Sequence, residues 1–471
     1  MNRAINDDEL VRHLAAFSQE HVLAFWHELD PQKRDRLAAQ VEQLDLRLLD
    51  ELFRNQVAGE DWARVARRAA APPAFRLNER RPSVSPEQAH QRGRQALEAG
   101  HVGVILVAGG QGTRLGFQRP KGMFSIGPVS GASLFQILFE KIAARSRAAQ
   151  MRIPLYLMTS PATHEDTVKY LAANEYFGLA SEDVRIFCQA AMPAVDAVTG
   201  RLLLAAKGEL ALSPDGHGGT LPALAAGGCL ADIRARGLRQ LFYCQVDNPL
   251  VEMCDPLFLG YHLLSDSDLS TLVVAKRHSR ERVGNVVSID GQMRMIEYSD
   301  LNPLEDEIVE RRGPEGGPVF WAGNTAIHVF DAAFLESMAA TTAALPFHAA
   351  KKAVGYVDAA GRTIAPRQPN AIKFERFIFD LLPAARRAIV VEVDPARAFA
   401  PVKNAPGADA DTPESAQAQM IALHAGWLRA AGCEVADGVA VEVSPMFAQN
   451  AQELAAQIRP GMAVTGPRYF C

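Results

Sequence analysis

Between Gly109 and Lys121 the sequence reads GGQGTRLGFQRPK, a run in which Gly109, Gly110 and Gly112 precede two fixed cations, Arg114 and Lys121. Successive backbone N–H groups of a glycine-rich loop can turn inward on an anion because no Cβ blocks the approach, and a nearby guanidinium and ammonium add positive charge. Such a loop suits a polyphosphate. In front of it, Val102 to Val107 is an apolar, β-branched run too short for a helix and stopped at once by glycine. It is expected to be a buried strand that delivers Val107 and Ala108 to the loop, and a bare glycine turn with two solvated cations is the competing reading.

Spacing excludes the two commonest phosphate-binding loops. The P-loop requires Gly-x4-Gly-Lys-Ser/Thr, whereas the residue after Gly109-x4 is Arg114, and Lys121 precedes its glycine with no hydroxyl following. In the dinucleotide fingerprint GxGxxG, Leu115 stands where the third glycine belongs, and the next expected strand, Leu155 to Met158, does not end in an acidic residue. What remains, GGxGTRL followed by Pro120-Lys121, resembles the signature of nucleoside-triphosphate sugar nucleotidylyltransferases. The fuller form GGQGTRLG-x4-KGM is similar to the eukaryotic-type UDP-sugar pyrophosphorylases.

The elements that must hold this loop can be read along the chain. Residues 1 to about 60 are expected to be helical, with Leu10, Leu14, Phe17, Val22 and Phe25 near one face and Asp30-Pro31 opening a second helix through Leu37 and Val41. Ala66 to Pro86, rich in Ala, Pro and Arg, reads as a surface linker whose arginines are solvated. From Val102 strands and helices alternate: helices over Leu134–Ala144, Ala162–Asn174 and Leu221–Arg234, strands over Pro154–Met158, Val184–Phe187 and Gln240–Val246. That alternation predicts an α/β fold with a mostly parallel central sheet covered on both faces. Ligands of such sheets sit at the carboxyl ends of the strands, where the glycine loop, Thr159-Ser160, Cys188-Gln189 and Asp247-Asn248 all fall. Between Leu269 and Phe330 shorter β segments predict an antiparallel extension, Pro369 to Phe379 reads as the start of a helix, and Thr412-Pro413 opens another before a β segment near Val439 to Val443. The expected division is a helical segment and linker over 1–100, a catalytic domain over 101–389 and a small C-terminal lobe over 390–471.

Composition restricts the partners. The chain has 471 residues, 48% of them hydrophobic, and a net charge of −5. This is an ordinary globular composition that gives no general electrostatic reason to bind nucleic acid or an anionic membrane. Six cysteines without CxxC spacing argue against a zinc site or disulfide framework and fit a reducing compartment. Asp7, Asp8 and Glu9 stand where a signal peptide needs an apolar core, and no apolar run approaches 18 residues, so a cytoplasmic protein is expected.

The resemblance covers about residues 20 to 450 and implies a Rossmann-like, GT-A-like nucleotidyltransferase fold. It also implies roles. Phe187-Cys188-Gln189 is similar to the family's F-x-Q, whose amide pairs with uracil, and SPDGHGGT (213–220), with Gly216, His217 and Gly218, resembles its nucleotide-contacting turn, intermediate between the GNGG and GHGD forms. Asp247 in VDN resembles the carboxylate that holds Mg²⁺, and a hard cation that keeps its waters needs only one or two such groups. Arg282-Val283-Gly284, Glu297-Tyr298-Ser299 and Ala322-Gly323-Asn324 are similar to the family's PVG, EYS and AGN around the hexose; from the residues alone they are three exposed turns. Lys373 in PNAIKFE and Lys403 in FAPVKN resemble its phosphate-facing lysines, and His348-x-x-Lys351-Lys352 matches a stretch without a derivable role. The implied activity is transfer of a uridylyl group from UTP to N-acetylglucosamine 1-phosphate. Arg114, Lys121, Lys373 and Lys403 would act on the phosphates. Glucose or a broad range of sugars, and a catalytically silent UDP-sugar-binding protein, are the alternatives.

Overall fold

The computed structural model describes residues 7–55, 60–78, 84–341 and 345–471. The chain divides into two units whose segments alternate along the sequence: the larger takes residues 62–188, 220–344 and 379–471, the smaller residues 1–61, 189–219 and 345–378.

In the larger unit, β1 (Ala74–Phe75), β2 (Val102–Val107), β3 (Leu155–Thr159), β4 (Val184–Cys188), β5 (Gln240–Gln245), β6 (Leu269–Ala275), β7 (Asn285–Ile289), β8 (Gln292–Ile296), β9 (Ala322–Asp331) and β10 (Ala388–Glu392) form one sheet. Its order is β1-β10-β6-β9-β5-β2-β3-β4, with the β7-β8 hairpin attached to β9. Every neighbouring pair in that order is parallel except those made by β9. Strands buried on both faces read as unbroken apolar runs, and β2 (VGVILV) and β3 (LYLMT) do so. Helix α1 (Pro86–Glu98) begins with a capping box between Ser85 and Gln88. Helix α2 (Leu134–Ala149), capped by Ser133, buries Leu134, Phe135, Leu138, Phe139 and Ile142 in the core shared with Val104, Leu106 and Leu155.

Register sets the position of the site. Val107 is opposite both Gln245 and Met158, and Thr159 is opposite Cys188, so the carboxyl ends of β5, β2, β3 and β4 share one edge. Because β9 runs against β5, with Gln240 opposite Asp331 and Tyr243 opposite His328, its first residues reach that same edge.

Several local expectations are corrected. Leu221 to Arg234 is two helices, α3 (Thr220–Ala226) and α4 (Cys229–Ala235), broken at Gly228, which sits at φ 68° where a Cβ is disfavoured. Of the four β segments between Leu269 and Phe330, two are strands of the central sheet and only the hairpin extends it, while Tyr298–Leu301 is a helical turn. The expected linker takes in the end of the helix Trp62–Arg68 and the edge strand β1, and residues 79–83 of it lie outside the described ones. Arg76 is not merely solvated: its guanidinium lies 3.6 Å from the Trp321 ring centroid and donates to Glu392 at 2.7 Å.

Beyond α5 (Pro256–Leu264) and the helix Ala332–Ala339, the larger unit continues to α6 (Pro413–Ala430), opened by Thr412 as expected. Leu428 of α6 packs with Val441 and Val443 of β11 (Val441–Val443) and Phe470 of β12 (Arg468–Phe470) in a small separate core.

In the smaller unit the helices Asp7–Ala15 and Pro31–Glu42 bury Leu10, Leu14, Leu37 and Val41 against Val195, Leu202, Ile372 and Phe374. Asp30 caps the second of them, accepting from Lys33 N–H at 2.9 Å. The helix expected from Pro369 is instead the strand Ala371–Glu375, paired antiparallel with His348–Lys352. The reason is a period of two from Ile372 onward: Ile372 and Phe374 are buried while Lys373 and Glu375, each the next residue along, are half-exposed. Among the described residues no helix is long and apolar enough to cross a membrane.

Candidate active site

The glycine loop leaves β2 at the sheet edge and folds back on itself. Gly112 N–H donates to Arg119 O at 2.9 Å and Lys121 N–H to Gly110 O at 3.1 Å, so the two arms of the loop pair. Ser160, just past β3, fastens it from below by donating its hydroxyl to Gly109 O at 2.7 Å. Among the described residues the N–H groups of Gly109, Gly110 and Gln111 have no acceptor, and the space above Gly110 is open. An anion can satisfy those donors. Arg114 follows on an exposed 3-10 turn, Thr113–Leu115, and its guanidinium has no partner among the described residues.

Lys121 points to the end of β5. Its ammonium donates to Val402 O at 3.3 Å and lies 3.9 Å from the Asp247 carboxylate, both side chains being largely enclosed. Neither contact is close, so the lysine keeps donor capacity for a phosphate oxygen. Asn248 assembles this corner: its amide donates to Ala398 O at 2.7 Å and accepts from Ala400 N–H at 3.0 Å, while Asp247 O accepts from Val402 N–H at 2.8 Å. Residues 398–402 are thereby laid beside Asp247, and Lys403 follows with an exposed side chain. Lys403 N–H donates to Asp411 O at 2.7 Å. Burial raises the Asp411 carboxyl, the Lys403 charge opposes that, and the Asp247 charge adds to it, so the two carboxylates are neighbours in one field. Asn248, Ser160 and Asp411 were not singled out from sequence as holding this corner; the polar residues after β3 and β5 were the available signal.

At the same edge Gly284, Glu297 and Asn324 come together. Asn324 N–H donates to Gly284 O at 2.8 Å, and a Cβ on Gly284 would lie 2.8 Å from a Glu297 carboxylate oxygen. Tyr298 next to them is exposed. Lys276 secures the group by donating to Asn285 Oδ1 at 2.6 Å, and burial pushes its ammonium down to about 8.

The remaining candidates belong to the smaller unit. Gln189 is buried. The turn Gly216-His217-Gly218 is clasped to residues 376–378: Gly218 N–H donates to Arg376 O at 2.8 Å, and His217 Nδ1 accepts from Ile378 N–H at 3.2 Å with its ring against Phe377. A Cβ on Gly216 would lie 2.4 Å from Arg376 O, so this approach requires glycine. Burial pushes the Asp215 carboxyl up to about 6 against the opposing pull of Arg376. Lys373 projects from its strand on the face opposite Ile372 and Phe374. His348 stacks on Phe377 at 4.7 Å, which gives that side chain a packing role.

A mainly parallel, helix-covered sheet with an anion loop, a lysine and an aspartate at its carboxyl edge is the construction of a nucleotide-binding α/β protein. The profile of the UTP–glucose-1-phosphate uridylyltransferase family matches residues 55–410, and the chain belongs to that family. It is 37% identical over 435 residues to the UDP-N-acetylhexosamine pyrophosphorylase-like protein 1 of Xenopus tropicalis, covering 89% of this chain and 84% of that one. It is 34% identical over 469 residues to UDP-N-acetylglucosamine diphosphorylase 2 of Arabidopsis thaliana, covering 96% and 91%. The crystal structure of the uridine diphosphate N-acetylglucosamine pyrophosphorylase of Trypanosoma brucei shares the fold, with a TM-score of 0.81 over 99% of each chain at 24% identity.

Proposed function

We propose that the protein is a uridylyltransferase that joins UTP and N-acetylglucosamine 1-phosphate to give UDP-N-acetylglucosamine and pyrophosphate. The observation that carries this reading is the corner where the glycine loop, with its unused N–H groups, meets Lys121, Asp247 and the 398–403 segment. The names of the Arabidopsis and Xenopus relatives support the acetylated sugar.

In this reading a phosphate oxygen of the sugar 1-phosphate attacks the α-phosphorus of UTP in line. The bond from that phosphorus to the bridging oxygen breaks, and pyrophosphate departs with the electron pair. Positioning and charge neutralisation supply most of the catalysis, so no covalent nucleophile is needed. Arg114 and Lys121 hold the leaving pyrophosphate; Lys373 and Lys403 offset the repulsion between the approaching phosphates. Val107, Ala108, Gly109, Gly110, Gln189 and the Gly216-His217-Gly218 turn receive the nucleotide, and Gly284, Glu297, Tyr298 and Asn324 receive the hexose.

A divalent cation fits the donor set. Asp247 offers a carboxylate oxygen beside the phosphate loop with Asp411 in the same field, and no cluster of three or more His, Cys, Asp or Glu side chains stands ready to enclose a metal among the described residues. One or two carboxylates suffice for an ion that keeps its waters and leans on phosphate, as Mg²⁺ does. Bound there by Asp247, Mg²⁺ would neutralise triphosphate charge.

The test is pyrophosphate release, read by coupled phosphate detection, from the protein with UTP, Mg²⁺ and either sugar phosphate. Turnover favouring the N-acetylglucosamine substrate is expected. A tenfold preference for glucose 1-phosphate would overturn the sugar assignment, and UTP binding without release of pyrophosphate would mark a silent binding protein.

A further inference from the structure

Beyond Lys121 the chain forms a hairpin whose tip is held by a buried carboxylate. Ser125 pairs with Ser133, Leu134 N–H donates to Phe124 O at 3.0 Å, and the N–H groups of Ile126 and Gly127 both donate to Ala132 O at 2.9 Å. At the tip, Val129 N–H and Ser130 N–H donate to Glu442 Oε2 at 2.8 and 2.7 Å, and the Ser130 hydroxyl donates to Oε1 at 2.7 Å.

Glu442 is the middle residue of β11, between Val441 and Val443 of the C-terminal core, and is only 3% exposed. A strand of that core needs no carboxylate there, and a buried one is costly unless its lone pairs are met. Three donors from a single loop meet them. Gly127 completes the fit, since a Cβ there would lie 2.8 Å from Glu442 Oε1 and 2.4 Å from Ser130 Oγ. On its other side Lys121 is tied by its backbone to Gly110 and, through the 3-10 turn Lys121–Met123, to Phe124 at the base of the hairpin.

We infer that Glu442 is a positioning residue of the transfer reaction: by clamping the 127–131 tip it fixes the hairpin that carries Lys121 and so holds the ammonium where phosphate charge develops. This rests on the role given to Lys121 above. Displacing a catalytic cation by about an ångström can cost on the order of 100-fold in rate. Glu442→Gln keeps the size but turns an N–H₂ toward donors, and is expected to lower kcat roughly 10- to 100-fold with little change in KM for the sugar phosphate.

The decisive measurement is a double-mutant cycle with Lys121→Ala, which by itself is expected to cost roughly two to four orders of magnitude in turnover. If Glu442 acts through Lys121, the double variant falls no further than Lys121→Ala. Losses that multiply, as a merely structural role would give, overturn the inference, as does a folded Glu442→Gln variant within about threefold of wild-type kcat. Should Glu442→Gln fail to fold, Gly127→Ala carries the test from the loop side, leaving the C-terminal core untouched, with the same expected loss and the same overturning result. A Lys121→Ala variant near wild-type rate overturns both the role of Lys121 and this inference, whereas wild-type turnover alone decides the proposed activity.

Discussion

At Asp247 the backbone and the side chain make separate contacts, and substitution of the side chain distinguishes its proposed role from folding. Its backbone carbonyl holds Val402, so the local structure does not depend on the side chain, while the carboxylate faces Lys121 at 3.9 Å. Asp247→Asn keeps the shape and loses the charge that a hard cation requires. We expect turnover to become unresponsive to Mg²⁺ while the melting temperature stays within a few degrees of wild type, checked by titrating initial rate against Mg²⁺ beside a thermal melt. A variant that titrates like wild type would remove Asp247 from the metal.

Two elements make predictions of their own. Helices α1 and α5 meet backbone to backbone through Gly93 and Gly260, where an added Cβ would lie 1.9 Å from Pro256 O and 1.6 Å from Ala89 O respectively. Neither carbonyl can retreat without moving its helix, so Gly260→Ala should destabilise by about 1–3 kcal/mol or more, as overpacking does, even though alanine favours helix. Urea unfolding measures this, and an unchanged midpoint would contradict the packing. In α6, His424 is buried, accepts from Val443 N–H and lies beside Trp427. Burial, reinforced by the Lys141 charge, pushes its imidazole down to about 3 from 6.5. The folded state therefore binds fewer protons than the unfolded one between those values. This contribution to stability is present above pH 6.5 and is lost as pH falls toward 3, by an amount on the order of a few kcal/mol at full titration. Melting temperature measured from pH 7 to 4 should fall more steeply for wild type than for His424→Gln. Parallel curves would show that the ring is protonated in the fold.

At the scale of the whole molecule, thiol chemistry reports on the packing of the sheet. None of the six cysteines is in a disulfide; Cys188 and Cys471 are exposed and Cys229, Cys244, Cys254 and Cys433 are buried. Burial pushes the Cys229 thiol up to about 11 and Cys254 up to about 12, and raises Cys244 well above its ordinary value, so these sulfurs are both shielded and protonated. A disulfide reagent at pH 8 should label two thiols in the native protein and six in guanidinium. More than two fast-reacting groups would mean that the core is open around β5 and α4.

The glycine loop, the strand before it, the strand–helix alternation and the caps at Asp30 and Thr412 were legible because each is set by neighbours a few residues away: a missing Cβ, a run of β-branched side chains, a hydroxyl or carboxylate over free N–H groups. Distant pairing decided the rest. Ala371–Glu375 is a strand because His348–Lys352 lies beside it, and Ala322–Asp331 enters the central sheet because β5 and β6 flank it, partners no local window contains. The interleaving of two units from separated segments follows from the same long-range contacts. Glu442 makes the point most plainly: in VEV it looks like one polar residue in an apolar strand, and only folding brings to it a loop more than 300 residues earlier, whose three donors give that charge a reason to be buried.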